Sequence, residues 1–352
     1  MTLVDLLGVA LPIVQAPMAG SQGSALALAV AKAGALGSLP CAMLGPDALS
    51  AELERLRQGT HLPFNLNFFC HRAPARDPQR EAAWRSALQP YYREFGLEET
   101  QTPDAPSRAP FDEAIAQLIE PYRPPVVSFH FGLPEPALVA RVKSWGAKIL
   151  SSATTVDEAR WLEAHGADAI IAQGVEAGGH RGMFLSDDLT TQLGTFALLP
   201  QIVKAVRVPV IAAGGVSDAA TVAAALRLGA AGVQVGTAYL LAHEASTSAL
   251  HRAALQSSEA EHTALTNLFT GRPARGILNG FVREQGPLSP LAPAFPLASG
   301  AVAPLRAKAE AEGRSDFSPL WAGQNARLAA PGSAEEITIR LAQGLERPHS
   351  RR

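Results

Sequence analysis

The chain has 352 residues, long enough to bury a sizeable core in a single large domain with insertions, so no linker is needed to explain its length. Hydrophobic residues make up 47% and charged ones 18%, and 30 Lys plus Arg nearly offset 32 Asp plus Glu, leaving no net field to gather nucleic acid or an anionic membrane. Cys41 and Cys70 lie far apart with no metal-ligand spacing around them, which excludes a disulfide scaffold or a zinc module and fits a reducing, cytoplasmic setting.

From Leu6 to Ala31 the chain carries no charge, but Pro12, Gln15, Pro17, Gly20, Gln22 and Gly23 interrupt the run. It therefore predicts strand, turn and helix rather than a membrane span. From there a unit recurs: a short apolar, β-branched run, a polar loop, then an Ala-rich helical stretch that stops at Gly. Such alternation predicts βα units around a parallel sheet. Strands are predicted over 13–17, 36–39, 64–69, 126–130, 147–151, 169–173, 208–213 and 231–236, with helices over 23–33, 46–58, 135–145, 155–165 and 217–228. Eight parallel strands close a barrel, so the fold class expected is α/β, a TIM (β/α)8 barrel.

Two stretches break the rhythm. Residues 71–125 form an Arg- and Pro-rich insertion after the third strand, with a helix near 78–92. After the eighth strand, 243–268 reads as helical and 284–304 as irregular. These predict a cap over residues 241–314, with the barrel, including the insertion, built from 1–240 and 315–352. Ser333-Ala334-Glu335-Glu336 is a capping-box signature for a last outer helix.

Reactive groups of such a barrel lie at the carboxyl ends of its strands. There the chain places Asn67, His130 and Gln173, and then Gly174-Val175-Glu176-Ala177-Gly178-Gly179-His180-Arg181-Gly182. Polar groups turned into a barrel cost free energy without partners or ligands, so their convergence predicts a site, although each alone could be a satisfied core residue. His180, among glycines, would ride on flexible backbone and could accept a proton from a carbon beside a nitro or carbonyl group. His130 could share that role or orient an anionic substrate. The last two loops, Ala213-Gly214-Gly215-Val216-Ser217 and Gln234-Val235-Gly236-Thr237, predict a phosphate cradle of backbone N–H groups, helped by helices starting near Ser217 or Thr237. No Gly-x-Gly-x-x-Gly follows the first strand and no Gly-x-x-x-x-Gly-Lys occurs, so a mononucleotide, flavin or sugar phosphate is expected.

Taken together, Gln15-Ala16-Pro17-Met18-Ala19-Gly20, Asn67-Phe68-Phe69, Ser128-Phe129-His130-Phe131-Gly132, the Gln173–Gly182 element, Ala213-Gly214-Gly215, Gln234-Val235-Gly236-Thr237 and Trp321-Ala322-Gly323-Gln324 resemble the nitronate monooxygenase family. The resemblance implies a non-covalent flavin mononucleotide (FMN) contacted by Asn67, Gln173, Gly178, Gly215 and Gln234, Val235, Gly236 and Thr237, with Pro17 and Met18 facing its ring. It implies His180 as base for neutral nitroalkanes, dioxygen as oxidant, and conversion of nitronates to carbonyl compounds and nitrite, in a cytoplasmic enzyme that could be a homodimer. One departure is plain. Family members of the best-known bacterial class carry Tyr-Pro-x-x-Tyr-x-x-x-Lys after the cap, whereas here Phe295, Ser299 and Ala303 stand in place of both phenols and the ammonium. The expectation is weaker preference for small anionic nitronates and room for a larger or more apolar substrate. The same glycine-histidine loop also fits a flavin-dependent enoyl-acyl-carrier-protein or quinone reductase, and the phosphate loops alone would fit a flavin-free sugar-phosphate barrel.

Overall fold

The computed structural model describes residues 2–98 and 108–345. Eight strands form one all-parallel sheet: β1 (Ile13–Gln15), β2 (Gly37–Pro40), β3 (Phe64–Phe69), β4 (Val126–His130), β5 (Lys148–Ala153), β6 (Ala169–Gln173), β7 (Val210–Ala213) and β8 (Gly232–Val235). Neighbours pair in chain order and β8 returns to β1 with Val14 opposite Gln234. A parallel bridge from Val14 to Leu36 closes the ring, because the Gln15 N–H donates to the Leu36 carbonyl (2.9 Å) and the Leu36 N–H to that of Ile13 (2.9 Å). The strands are buried on both faces, as the near-continuous apolar runs require of a sheet covered by helices.

The outer face packs on the helices. Leu26 and Val30 from Ser24–Lys32, Leu162 from Val156–Ala164 and Val222 from Ala219–Arg227 share one core with Ile337 and Leu341 of the last helix, Ala334–Ala342. Ser333 and Glu336 form the expected capping box there. A further helix, Thr195–Ala205, fills the β6–β7 crossover despite Pro200. At the opposite end from the site, an unpredicted helix, Leu3–Leu7, plugs the barrel. Its Leu3 and Leu7 pack with Val14, Leu36, Val126, Leu150, Ile171 and Ile211 inside the ring.

The cap departs from expectation in three ways. First, residues 243–268 are not one helix: Ala249–Gln256 is helical, and Thr263–Thr266 is a strand paired antiparallel with Ala274–Ile277. β-Branched Thr263 and Thr266 favour that pairing. Second, 284–304 is not irregular throughout, since Ala298–Ala311 is a helix that tolerates Pro304 and Gly300 through its alanines and its packing. Third, the insertion after β3 is divided: Phe111, Ala116 and Ile119 pack with the barrel residues Leu66, Phe68, Val127 and Phe129, whereas the insertion's first helix joins the cap. That helix, Pro78–Glu94, carries Trp84, Leu88 and Tyr92 into one cluster with Phe269, Phe281, Val302, Leu305 and Phe317. Trp84 Nε1 reaches the Ala298 carbonyl (3.4 Å) and the Tyr92 hydroxyl donates to that of Ala301 (2.7 Å). Phe317 and Trp321, expected with the barrel, belong to the same cluster.

Candidate active site

A cavity opens at the carboxyl ends of the strands, under the cap. Its wall contains Pro17, Met18, Asn67, His130, Gln173, Gly178, His180, Gly215, Gln234, Gly236 and Thr237, so residues separated by up to 220 positions share one rim. Val235 is the exception. Strand alternation turns its side chain outward into the core between sheet and helices, away from the cavity.

Each wall is fixed by buried hydrogen bonds. On the β1 side, Gln22 Oε1 accepts from the Met18 N–H (3.1 Å) and from Gln15 Nε2 (2.6 Å), while Gln15 Oε1 accepts from the Ser38 N–H (3.0 Å). That network holds Pro17 and Met18 against the opening. Next to it, Asn67 Nδ2 donates to Ser128 Oγ (2.9 Å). On β6, Gln173 Nε2 donates to the His180 carbonyl (3.0 Å) and its Oε1 accepts from the Gly182 N–H (2.7 Å), so this side chain ties the loop back to its own strand. Fully buried Arg181 completes the tie, donating to the carbonyls of Gly174 and Gln173 (2.7 Å each) and to Gln192 Oε1 (3.0 Å).

His180 is not on loose backbone. Gly179–His180 is a two-residue strand added to the cap's antiparallel pair, with His180 opposite Ala274. The ring is walled by Phe69, Phe131, Phe295 and Trp321, at centroid distances of 6.3, 6.1, 5.4 and 5.5 Å. Its Nε2 meets Thr270 Oγ1 (2.9 Å). The Thr270 hydroxyl can donate to the Arg272 carbonyl (3.4 Å) and so accept an Nε2–H, which leaves Nδ1 as the lone-pair nitrogen. Burial, and then the nearby cations led by Arg108, hold the imidazole well below its usual range, so it is neutral at neutral pH.

His130 is differently placed. Nε2 donates to the His180 carbonyl (3.1 Å) and Nδ1 meets Ser152 Oγ (3.1 Å), so both nitrogens are engaged and one tautomer is selected. Burial pushes its pKa down to about 4. Its ring orients the backbone that carries His180.

The last two loops form a cradle. Among the described residues the N–H groups of Gly215 and Gly236 donate to no protein acceptor. Gln234 Oε1 is buried there without a hydrogen-bond partner, an orphan that a ligand donor would satisfy. The expected helix termini contribute less. The carboxylate of Asp218 already caps Ala219–Arg227 by accepting from the Thr221 N–H (2.8 Å), and Thr237–Leu241 is a 3-10 turn. Anion recognition therefore falls to the loop amides. A third strand of chain braces them: the Gly323 N–H donates to Thr237 Oγ1 (3.0 Å), the Gln324 N–H to the Glu176 carbonyl (3.0 Å), and Asn325 Nδ2 to the Gly215 carbonyl.

The cradle, the aromatic wall and the single free imidazole nitrogen stand where the sequence motifs run in order, and one family model, described as nitronate monooxygenase, matches residues 1–344. The chain belongs to the nitronate monooxygenase family. It is thus an oxidoreductase of a flavin-dependent class. A nitronate monooxygenase of Paraburkholderia phytofirmans is 42% identical over 98% of this chain and 94% of its own length. One of Pseudomonas aeruginosa is 41% identical, covering 97% of each chain. Among solved structures, a nitroalkane oxidase from Streptomyces ansochromogenes superposes with a TM-score of 0.88 at 39% identity, covering 97% of each chain.

Several residues at the site carried no sequence signal. Thr270 and Arg272 sit in a turn between the cap strands, and Arg108 in the insertion. Only the arginine-rich composition of that insertion hinted at the last.

Proposed function

We propose that this enzyme oxidises alkyl nitronates, and nitroalkanes after deprotonation, with dioxygen to carbonyl compounds and nitrite, using bound FMN. The observation that carries the reading is His180: a neutral imidazole, half-buried among aromatic rings, with Nδ1 unengaged on the same cavity wall as the amide cradle. The cradle suits the cofactor because the Gly215 and Gly236 amides would meet phosphate oxygens, the orphaned Gln234 Oε1 would accept a donor, and Pro17 and Met18 would face the ring system. FMN held there supplies the electron acceptor that links the carbon acid to dioxygen.

The chain's own residues handle the proton. His180 Nδ1 takes it from the carbon bearing the nitro group, and the electron pair of the C–H bond passes onto the nitro oxygens, giving the nitronate. Thr270 fixes the ring through Nε2, His130 and Gln173 fix the backbone behind it, and Phe69, Phe131, Phe295 and Trp321 exclude water. A depressed pKa keeps the base form populated through neutral pH, so nitroalkane turnover should stay level there and fall only in acid. A cytoplasmic location agrees with both cysteines being free thiols.

The test is His180→Asn. The variant should keep its flavin while nitroalkane turnover drops about 100-fold or more. Nitronates, already deprotonated, should lose much less. Unchanged nitroalkane turnover would remove His180 from the role, and rapid anaerobic bleaching of the wild-type flavin by NADH would favour a reductase instead.

A further inference from the structure

Where the family resemblance leads one to expect phenols and an ammonium, this chain has Phe295, Ser299 and Ala303, which offer a nitronate no cation from that segment. Another arginine reaches the same cavity. Arg108, from the insertion after β3, lines the wall with His180. Its guanidinium carbon lies 5.7 Å from the Phe295 ring centroid, over the residue that replaces the first phenol. Its Nη1 is buried and makes no hydrogen bond, and among the described residues no carboxylate pairs with it. Arg306, the other arginine on the wall, is already matched by Glu310 (Nε to Oε1, 2.7 Å).

The surroundings are cationic as well, although Asp187 and Glu158 act on Arg272 and its Nη2 donates to the Met183 carbonyl. Arg272 sits 4.2 Å from the Phe131 centroid with its Nε buried and unpartnered, and His71 Nδ1 is likewise orphaned. The charged and titratable neighbours that act on His180 are Arg108, His130, Arg272 and His71, with no carboxylate among them. Burial and Arg306 lower the Arg108 pKa only to about 10, so it remains a cation at neutral pH. A buried guanidinium with an unmet N–H is costly, and the planar fork of arginine matches a planar pair of anionic oxygens. Among the described residues no carboxylate meets the Arg108 guanidinium, so an anion in the cavity would satisfy it.

We propose that Arg108 is the anion-recognising residue of this enzyme, donating to the nitronate oxygens in place of the phenols and ammonium absent at Phe295, Ser299 and Ala303. The inference rests on the proposed nitronate chemistry and narrows it. The substrate class is a small anion whose charge sits on two coplanar oxygens, and loss of the expected run does not make the pocket apolar.

Nitrate, a planar oxyanion, is the probe. Titrated into the flavin-loaded enzyme, it should perturb the visible flavin spectrum and compete with ethyl nitronate. In Arg108→Gln its Kd should rise about 10-fold or more, the loss expected of a charge-assisted hydrogen bond, and Arg108→Lys should recover part of it. KM for ethyl nitronate should rise by a similar factor, while KM for neutral nitroethane should change less than about 3-fold. Equal effects on both substrates, or a nitrate Kd indifferent to Arg108→Gln, would overturn the assignment. So would wild-type enzyme that nitrate does not inhibit competitively, a result that needs no variant to fold. Wild-type enzyme that binds nitrate through Arg108 but oxidises no nitronate would instead defeat the proposed reaction and leave the anion site standing.

Discussion

Gly178 is the point where two loops of the site touch backbone to backbone. A Cβ built there would stand 2.6 Å from the carbonyl carbon of Ala322 and 2.6 Å from the nitrogen of Gly323, neither of which belongs to a side chain that could swing away. The family resemblance implied a flavin contact for this glycine, and its place on the cavity wall is compatible with one. The closer constraint is the chain at 322–323, because the Gly323 N–H holds Thr237 and the neighbouring Asn325 holds Gly215. Gly178→Ala should therefore push the brace off both loops of the cradle. Overpacking of this kind costs about 1–3 kcal/mol. The variant should melt earlier and bind FMN more weakly, read by differential scanning calorimetry and by flavin fluorescence on titration. A lowered melting temperature with unchanged flavin affinity would mean that the brace does not act on the cradle.

The eight strands and most barrel helices could be read directly because they are specified by their own residues, whereas Leu3–Leu7 and Thr195–Ala205 were not. β6 is Ala169-Ile170-Ile171-Ala172-Gln173 and the helix before it ends at Ala164, with Gly166 in the left-handed region at φ 100° just beyond. The cap could not be read that way, since its elements are made by distant partners. The strand status of Gly179–His180 depends on Ala274 and Arg275, nearly a hundred residues later, and the helix Ala298–Ala311 is held over Pro304 by a helix from the insertion. The same applies to the site: His180 and Gln173 belong to a motif, whereas Arg108, Thr270 and Arg272 arrive only through tertiary folding. Trp84 is the largest of the side chains that fasten insertion to cap, being 1% exposed, within reach of the Ala298 carbonyl, and 6.2 Å from the Phe281 ring centroid. Trp84→Ala should cost about 3–5 kcal/mol and lower the urea midpoint accordingly. A midpoint within error of the wild type would show that the two segments are not docked.

At the scale of the whole molecule, burial of imidazoles makes stability depend on pH in a defined window. His71, His130 and His251 are each depressed from 6.5 to about 4, with desolvation the leading cause in all three. Between those values the unfolded chain binds protons that the folded chain refuses. Stability is therefore fully present above about pH 6.5, falls as pH drops toward 4, and flattens below that for these groups. The acids with lowered pKa values, Asp5, Glu52, Glu81, Asp188 and Glu336, begin from 3.8 or 4.5 and add their losses only at more acid pH. The interval from 6.5 to about 4.5 thus reports the histidines. For His251, 7% exposed with its Nε2 unpartnered, the linkage amounts to about 2 kcal/mol at pH 5. Thermal unfolding of the flavin-loaded enzyme should show a midpoint several degrees lower at pH 5 than at pH 7.5, and His251→Gln should shrink that difference. If the variant keeps the full difference between the two pH values, His251 is protonated as readily folded as unfolded, and its burial against the Trp321 backbone does not hold in solution.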